Sequence, residues 1–348
     1  MDESILKTGG AKERRRVSAT LPRVGVLGAA RIVPKALLAA APGLIDVRAV
    51  AAREPERARA FADAQGIVDS HGSYQELLAR SDIDAVYIAL PAALHAAWTL
   101  AALRAGKHVL CEKPFGLAEA EARSAVAYAS DQGLLLMEAH HWRYHPLAEA
   151  FQLAARGVGP VERISAVFDA PIRAGNIRLD AGLGAGVLLD FGCYLVQWLA
   201  LASGDEEPEV LEASAVEGDP GVDLAFRARL RGASGAAMSL ACDMRPEVTF
   251  LAYVEVASER GQVRFENPLN GLDARLIVDR PSEAQVLTEA AGPTTFRRQL
   301  EAFVAALHGG PEPPTSGAAI VRTQALLDRL YQAAGLPTRD VLARSATG

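Results

Sequence analysis

Through the first 140 residues of the chain, short apolar runs with β-forming character alternate with helical ones. Strand-like stretches fall near Arg23–Leu27, Asp46–Ala51, Ala85–Ala89, His108–Cys111 and Leu134–Glu138. Helical patterns fall between and after them, near Ile32–Ala41, Pro55–Gln65, Tyr74–Arg80, Ala92–Ala105 and Leu117–Gln132. Continuous apolar strands separated by helices pair in parallel, because each crossover helix covers a face of the sheet. A doubly wound α/β domain of the Rossmann type is therefore expected over 22–142.

After Ala139 the pattern changes. A helix near Pro146–Arg156 and a strand near Arg163–Phe168 lead to a glycine-rich loop, 174–186, and a long helix, Gly186–Leu201. Strands then follow in succession: Val210–Ala215, Leu224–Leu230, Ala236–Cys242, Phe250–Ala257, Gly261–Phe265 and Arg275–Val278. Alternation such as Ala-Phe-Arg-Ala-Arg-Leu at 225–230 gives a sheet one buried face. Helices near Thr295–His308 and Ala318–Ala333 close the chain. We expect a C-terminal α+β domain over 143–348 with a large, mostly antiparallel open sheet. Residues 1–21 carry basic side chains but no apolar run, and read as a disordered extension rather than a signal peptide. At 348 residues, two domains also suit the length.

Several classes are excluded or disfavoured. A net charge of −6 argues against a protein that coats nucleic acid. The uncharged stretch from Ala85 to Leu103 is nearly long enough to span a bilayer, but Pro91 splits it into a strand and a helix, so no membrane association is expected. Three scattered cysteines suit a reducing cytoplasm and make no disulfide framework. His140, His141 and His145 have partly helical spacing, yet no further ligand stands at a zinc-site interval; no metal is expected.

The first strand runs into Gly25-Val-Leu-Gly28-Ala29-Ala30-Arg31-Ile32. Backbone amides at a strand-to-helix turn cradle a dinucleotide pyrophosphate. Of the usual Gly-x-Gly-x-x-Gly/Ala fingerprint, aligned on Gly28, only the first glycine is kept. The tip of the second strand reads Ala52-Arg53-Glu54, where NAD-binding chains place a carboxylate. Arg53 there suits a 2′-phosphate, pointing to NADP with NAD as the alternative; Arg53 and Arg57 as a solvated helix face is the plainer reading. The strand ending at Cys111 delivers Glu112-Lys113-Pro114 to the crevice off the carboxyl edge of the sheet, where ligands bind in such folds. Lysine at that place can hydrogen-bond a substrate oxygen as its charge changes.

With Ser73-Tyr74-Gln75-Glu76-Leu77-Leu78, Asp84-Ala-Val-Tyr-Ile-Ala-Leu90-Pro91, Pro91-x-x-x-His95 and Gly186-Val-Leu-Leu-Asp190-Phe-Gly192-Cys-Tyr194, the sequence resembles the Gfo/Idh/MocA oxidoreductase family over about residues 22–335. Many members carry Asp-x-Gly-x-His-x-x-Asp in the second domain. Here Tyr194 stands for the histidine and Gln197 for the second aspartate. That is similar to the glucose–fructose oxidoreductase and dimeric dihydrodiol dehydrogenase branch, in which a tyrosine moves the proton.

The resemblance implies Lys113, Tyr194 and Asp190 as catalytic residues, with Arg143 also at the substrate. It implies Gly25, Gly28, Ala30, Arg31, Ile32, Arg53, Leu90, Pro91, His95, Glu112 and Lys113 around the cofactor. It implies an NADP-preferring enzyme interconverting an alcohol and a carbonyl on a small sugar-like or diol substrate, and a homo-oligomer built through the C-terminal sheet. A nucleotide-linked keto-sugar reductase, a non-catalytic NAD(P)-binding sensor and an NAD-using glycosidase are the alternatives. The plainer readings are a polar pair on an apolar helix for Asp190 and Tyr194, an interdomain salt bridge for Arg143, and a satisfied buried imidazole for His95.

Overall fold

In the computed structural model, residues 14–17, 21–204, 207–218, 221–269, 271, 273–281, 283–288 and 292–341 are described. Six strands form the first sheet: β1 (Arg23–Leu27), β2 (Asp46–Ala51), β3 (Asp69–His71), β4 (Ala85–Ile88), β5 (His108–Cys111) and β6 (Leu136–Glu138). Their order is β3-β2-β1-β4-β5-β6, with every pair parallel. The order reverses between β1 and β4, so the carboxyl ends of those two strands open a crevice. Helices α1 (Pro55–Gln65), α2 (Tyr74–Leu78), α3 (Ala92–Arg104) and α4 (Glu119–Gln132) connect the strands.

The second sheet has eight strands: β7 (Arg163–Asp169), β8 (Glu209–Glu217), β9 (Asp223–Arg231), β10 (Ala237–Asp243), β11 (Leu251–Ser258), β12 (Gly261–Glu266), β13 (Arg275–Arg280) and β14 (Glu283–Thr288). The order is β14-β13-β12-β11-β7-β10-β9-β8. Only β7 with β10 is parallel; the other pairs are antiparallel. Helices α5 (Pro146–Arg156) and α6 (Cys193–Ser203) pack on one face, giving a core with Trp142, Phe151, Phe168, Trp198 and Phe265.

The expected fold class is the observed one, with local differences. The strands β3 and β14 were not expected; β3 is three polar residues, and polar residues break up the apolar ones of β14, so neither produces a long apolar run. The helix expected over Ile32–Ala41 shrinks to a wide turn at Pro34–Leu38. The helical run Ala181–Ser203 is long and apolar enough to cross a membrane, but 83% of its most apolar window is buried in the protein, as in a core helix.

Packing does not follow one border along the chain. Helix α7 (Thr295–Leu307) buries Phe296, Leu300 and Phe303 in the core that holds β1, and Ile320 of α8 (Ala318–Ala333) enters the core on the sheet's other face. Asp328 of α8 accepts the Glu119 amide at the start of α4, at 2.8 Å. The expected disordered extension departs from the structure at 14–17: Arg15 N–H donates to the Gly133 carbonyl (2.7 Å) and Val17 N–H to that of Leu307 (3.0 Å). Residues 1–13 and 18–20 of that extension lie outside the described residues.

Candidate active site

At the switch point, Gly28 has φ +109°, and a Cβ there would stand 2.4 Å from the Ala89 carbonyl oxygen and 3.1 Å from Leu90 Cδ2. Glycine is required because β1 and the exit of β4 touch backbone to backbone. Ala30, Arg31 and Ile32 form the turn out of Gly28, with Arg31 exposed. Arg53 and Arg57 are both exposed at the tip of β2, and the Arg57 guanidinium donates to the Ala29 carbonyl at 3.2 Å. Arg57 thus stands against the Gly28–Ile32 turn, with Arg53 exposed at the end of β2.

Three residues expected at the cofactor have internal work instead. Gly25 lies within β1, where a Cβ would stand 2.5 Å from Leu77 Cδ2; it lets α2 pack on the strand. His95 is 1% exposed, with Nδ1 2.6 Å from the Pro114 carbonyl and Nε2 2.7 Å from that of Leu90. Its ring sits between the exit of β4 and the Lys113 loop, where a neutral imidazole donates to one of the two carbonyls. Burial pushes its pKa down, against the pull of those carbonyls. Glu112 accepts a short hydrogen bond from the Tyr87 hydroxyl, and burial raises its pKa above the usual value.

Lys113 leaves the end of β5 and meets the first turns of the long helix. Its Nζ donates to Asp190 Oδ1 at 2.7 Å and to the Asp190 carbonyl at 3.1 Å. It also stands 4.7 Å from the centroid of the Tyr194 ring. Arg178 grips the other carboxylate oxygen, with Nε–Oδ2 at 2.5 Å. Asp190 and Tyr194 are four residues apart, one helical turn, and so share a face.

The charges follow from this packing. Burial alone would raise Asp190, but Lys113 and Arg178 outweigh it and hold the carboxyl below its ordinary range. Burial would lower Lys113, and Asp190 outweighs that, so the ammonium persists. For Tyr194, burial wins over the opposing Lys113 and pushes the phenol up. The neighbouring ammonium does favour phenolate, but less than burial disfavours it. The cluster presents a cation, an anion and a neutral O–H donor together.

Arg143 does not join it. Its side chain lines a separate cavity of about 300 Å³ with Val196, Gln197, Ala200, Arg322 and Arg329. Val196 and Ala200 lie roughly 200–240° around the helix from Tyr194, so the cavity is on the opposite face of α6. The three histidines also separate: His140 is buried beside Glu138, His141 Nδ1 meets Thr295 Oγ1 at 2.8 Å, and His145 Nδ1 accepts the Leu147 amide at 3.0 Å. Arg178 was not singled out from the sequence, and Arg57 and Glu138 entered only as a helix-face neighbour of Arg53 and as the end of a strand. The one available signal was a basic residue inside the glycine-rich loop before Asp190.

A family model described as an oxidoreductase family with an NAD-binding Rossmann fold matches residues 22–140, and the Gfo/Idh/MocA C-terminal domain model matches 150–264. The chain is similar to D-xylose 1-dehydrogenase (NADP(+)) 2 of Haloferax volcanii, 35% identical over 89% of this chain and 96% of that protein. It is also similar to dTDP-3,4-didehydro-2,6-dideoxy-alpha-D-glucose 3-reductase of Streptomyces violaceoruber, 36% identical over 90% and 96%. Among solved structures, a 3-ketoreductase from Actinomadura kijaniata in complex with NADP and TDP-benzene superposes with a TM-score of 0.82. It is 31% identical and covers 90% of this chain and 98% of that one.

Proposed function

The chain belongs to the Gfo/Idh/MocA family of oxidoreductases, and from that premise we propose an NADP(H)-preferring enzyme that interconverts a secondary alcohol and a carbonyl on a sugar-like or diol substrate. The observation that carries this reading is the meeting of Lys113, Asp190 and Tyr194 at the exit of β5, with Lys113 Nζ 4.7 Å from the phenol ring. A bound NADP supplies or accepts the hydride.

The turn at Gly28–Ile32 would hold its pyrophosphate, and Arg53 with Arg57 its 2′-phosphate. The Lys113 ammonium would hydrogen-bond the substrate oxygen and stabilise the negative charge that grows there during reduction. The Tyr194 O–H donates a proton to that oxygen, and in the oxidative direction takes one back. Asp190, fixed by Arg178, keeps Lys113 charged and aimed.

A reductase of a nucleotide-linked keto-sugar is the second reading. Two relatives are named for such ketoreduction, and burial keeps Tyr194 protonated, ready to donate. A screen decides between them: NADP reduction with aldoses and diols, against NADPH oxidation with dTDP-keto-sugars and free keto-sugars. Turnover confined to the dTDP-linked ketones selects the second reading; no turnover with any of these substrates contradicts both.

Cys111, Cys193 and Cys242 are buried free thiols, which suits a reducing cytoplasm. The uncovered face of the second sheet interleaves half-buried Val167, Ala241, Tyr253 and Ile277 with the ion-paired Glu255, Arg264, Glu266 and Arg275, a mixed surface suited to pairing with a second copy. Sedimentation equilibrium showing only monomer at micromolar concentration would remove that pairing.

A further inference from the structure

Behind Tyr194 lies a buried carboxylate–imidazole pair that the reaction outlined above does not use. Glu138 ends β6 and is 1% exposed; His140 is two residues on and fully buried. His140 Nε2 stands 3.3 Å from Glu138 Oε1, within ion-pair range. Neither ring nitrogen of His140 has a hydrogen-bond partner among the described residues, and Glu138 Oε2 has none either. An isolated buried charge costs several kcal/mol, on the order of the penalty per ion in a protein interior, so each group's best available partner is the other.

The pair touches both halves of the candidate active site. Glu138 Oε1 accepts the Phe115 amide at 2.8 Å, two residues beyond Lys113. The His140 ring meets the Tyr194 ring edge to face, with centroids 5.2 Å apart and planes at 88°. The other titratable groups facing the pair are Cys111 and Glu112 from the end of β5, His95 from α3, Cys193 and Tyr194 from α6, and His141 from the same turn; Tyr194 itself also faces Tyr87, Glu112, Lys113, Arg178, Asp190 and Cys193. Of these, Tyr194 is the group placed to exchange a proton with substrate.

We propose that Glu138 and His140 are a positioning pair that holds the Tyr194 phenol and sets the pH at which it exchanges its proton. This rests on the reading of Tyr194 as the proton-transfer group. With His140 present, the Glu138 charge is matched. Without it, the Glu138 carboxylate, held by the Phe115 amide alone, disfavours phenolate on the neighbouring Tyr194 and moves proton loss to higher pH.

The test compares pH profiles of kcat for the intact chain and for His140→Phe, Glu138→Gln and the double variant. Phe keeps an aromatic edge against Tyr194, and Gln keeps an acceptor for the Phe115 amide. Under the proposal, the alkaline limb of His140→Phe moves up by about one pH unit, and adding Glu138→Gln brings it back. NADP affinity, read by fluorescence quenching, stays within about twofold in all three, since the pair is placed behind the phenol rather than at the phosphates. An unshifted limb in His140→Phe, or a shift that Glu138→Gln does not reverse, overturns the pair's role. If His140→Phe does not fold, His140→Asn carries the same prediction. Tyr194→Phe is run beside them: full activity there sinks the underlying reading, whereas an inactive Tyr194→Phe with an unshifted His140→Phe sinks only the pair.

Discussion

Lys113 and Asp190 come from different sheets' surroundings and meet in a buried ion pair, Nζ to Oδ1 at 2.7 Å, with side chains 11% and 14% exposed. The contact joins the exit of a parallel strand to the first turns of the helix that carries Tyr194. Each partner's charge is sustained by the other, and neither would be stable alone at that depth.

Asp190→Asn should therefore do more than weaken substrate binding. It leaves Lys113 and Arg178 facing each other without a counter-charge, and breaking a buried pair in this way costs about 3–5 kcal/mol. Urea denaturation should show a loss of that order, and turnover should fall at least about tenfold. The double variant Asp190→Asn/Lys113→Met should recover part of the stability and none of the turnover. Full recovery of turnover would contradict the role given to Lys113.

Arg53 and Arg57 are exposed, and Arg57 is already anchored to the Ala29 carbonyl. Hydrogen bonds to charged groups are worth about 1.5–3 kcal/mol, or roughly 10- to 100-fold in affinity. Arg53→Ala and Arg57→Ala should each raise KM for NADP by about that factor and change KM for NAD little. Equal losses with both cofactors would remove the 2′-phosphate assignment.

How much of this was legible before folding differs by residue. The strand runs around Val24, Val86 and Val109 are continuous and apolar, so the parallel sheet and its exits could be read directly. Lys113 and Tyr194 stand in motifs whose position at a strand end and on a helix carries the chemistry. Arg178 could not be found, because it lies twelve positions before Asp190, on a separate short turn of the glycine-rich loop, and no period links them. Gly25 and His95 were read as cofactor contacts because they flank the right turns. Their work is internal: one makes room for Leu77, and the other sits between two carbonyls. Arg143 failed for a geometric reason, since one helix can present Tyr194 to the crevice and Val196 to a cavity behind it.

His95 predicts its own signature. His95→Ala leaves the Leu90 and Pro114 carbonyls without the ring between them, and should loosen the Lys113 loop relative to Gly28. We expect kcat/KM to fall about tenfold, with the fold retained by circular dichroism. A variant with unaltered kinetics would show that the two strand exits hold their places without it.

Stability should fall in mild acid. Burial lowers His108 to about 4 and His141 to about 3. His108 Nδ1 accepts the Leu135 amide at 2.9 Å, which protonation would forbid. Both folded-state values lie below the unfolded value of about 6.5, so the unfolded chain binds more protons between them. Their contribution is fully present above pH ~6.5 and is lost as pH falls towards the folded values, by about 1.4 kcal/mol per pH unit per group. Urea midpoints taken from pH 7.5 to 5 should decline, and His108→Gln should flatten the decline. A midpoint that holds constant over that range would contradict it.

The central claim is that Lys113 and Tyr194 act together on the substrate oxygen. The most direct measurement is steady-state turnover, followed through NADPH absorbance with a sugar or keto-sugar the intact enzyme accepts, in Lys113→Met and Tyr194→Phe. Each variant should bind NADP normally and lose turnover by about 10²–10⁴-fold, as expected for a positioned acid–base group. Undiminished turnover in either one would contradict the account.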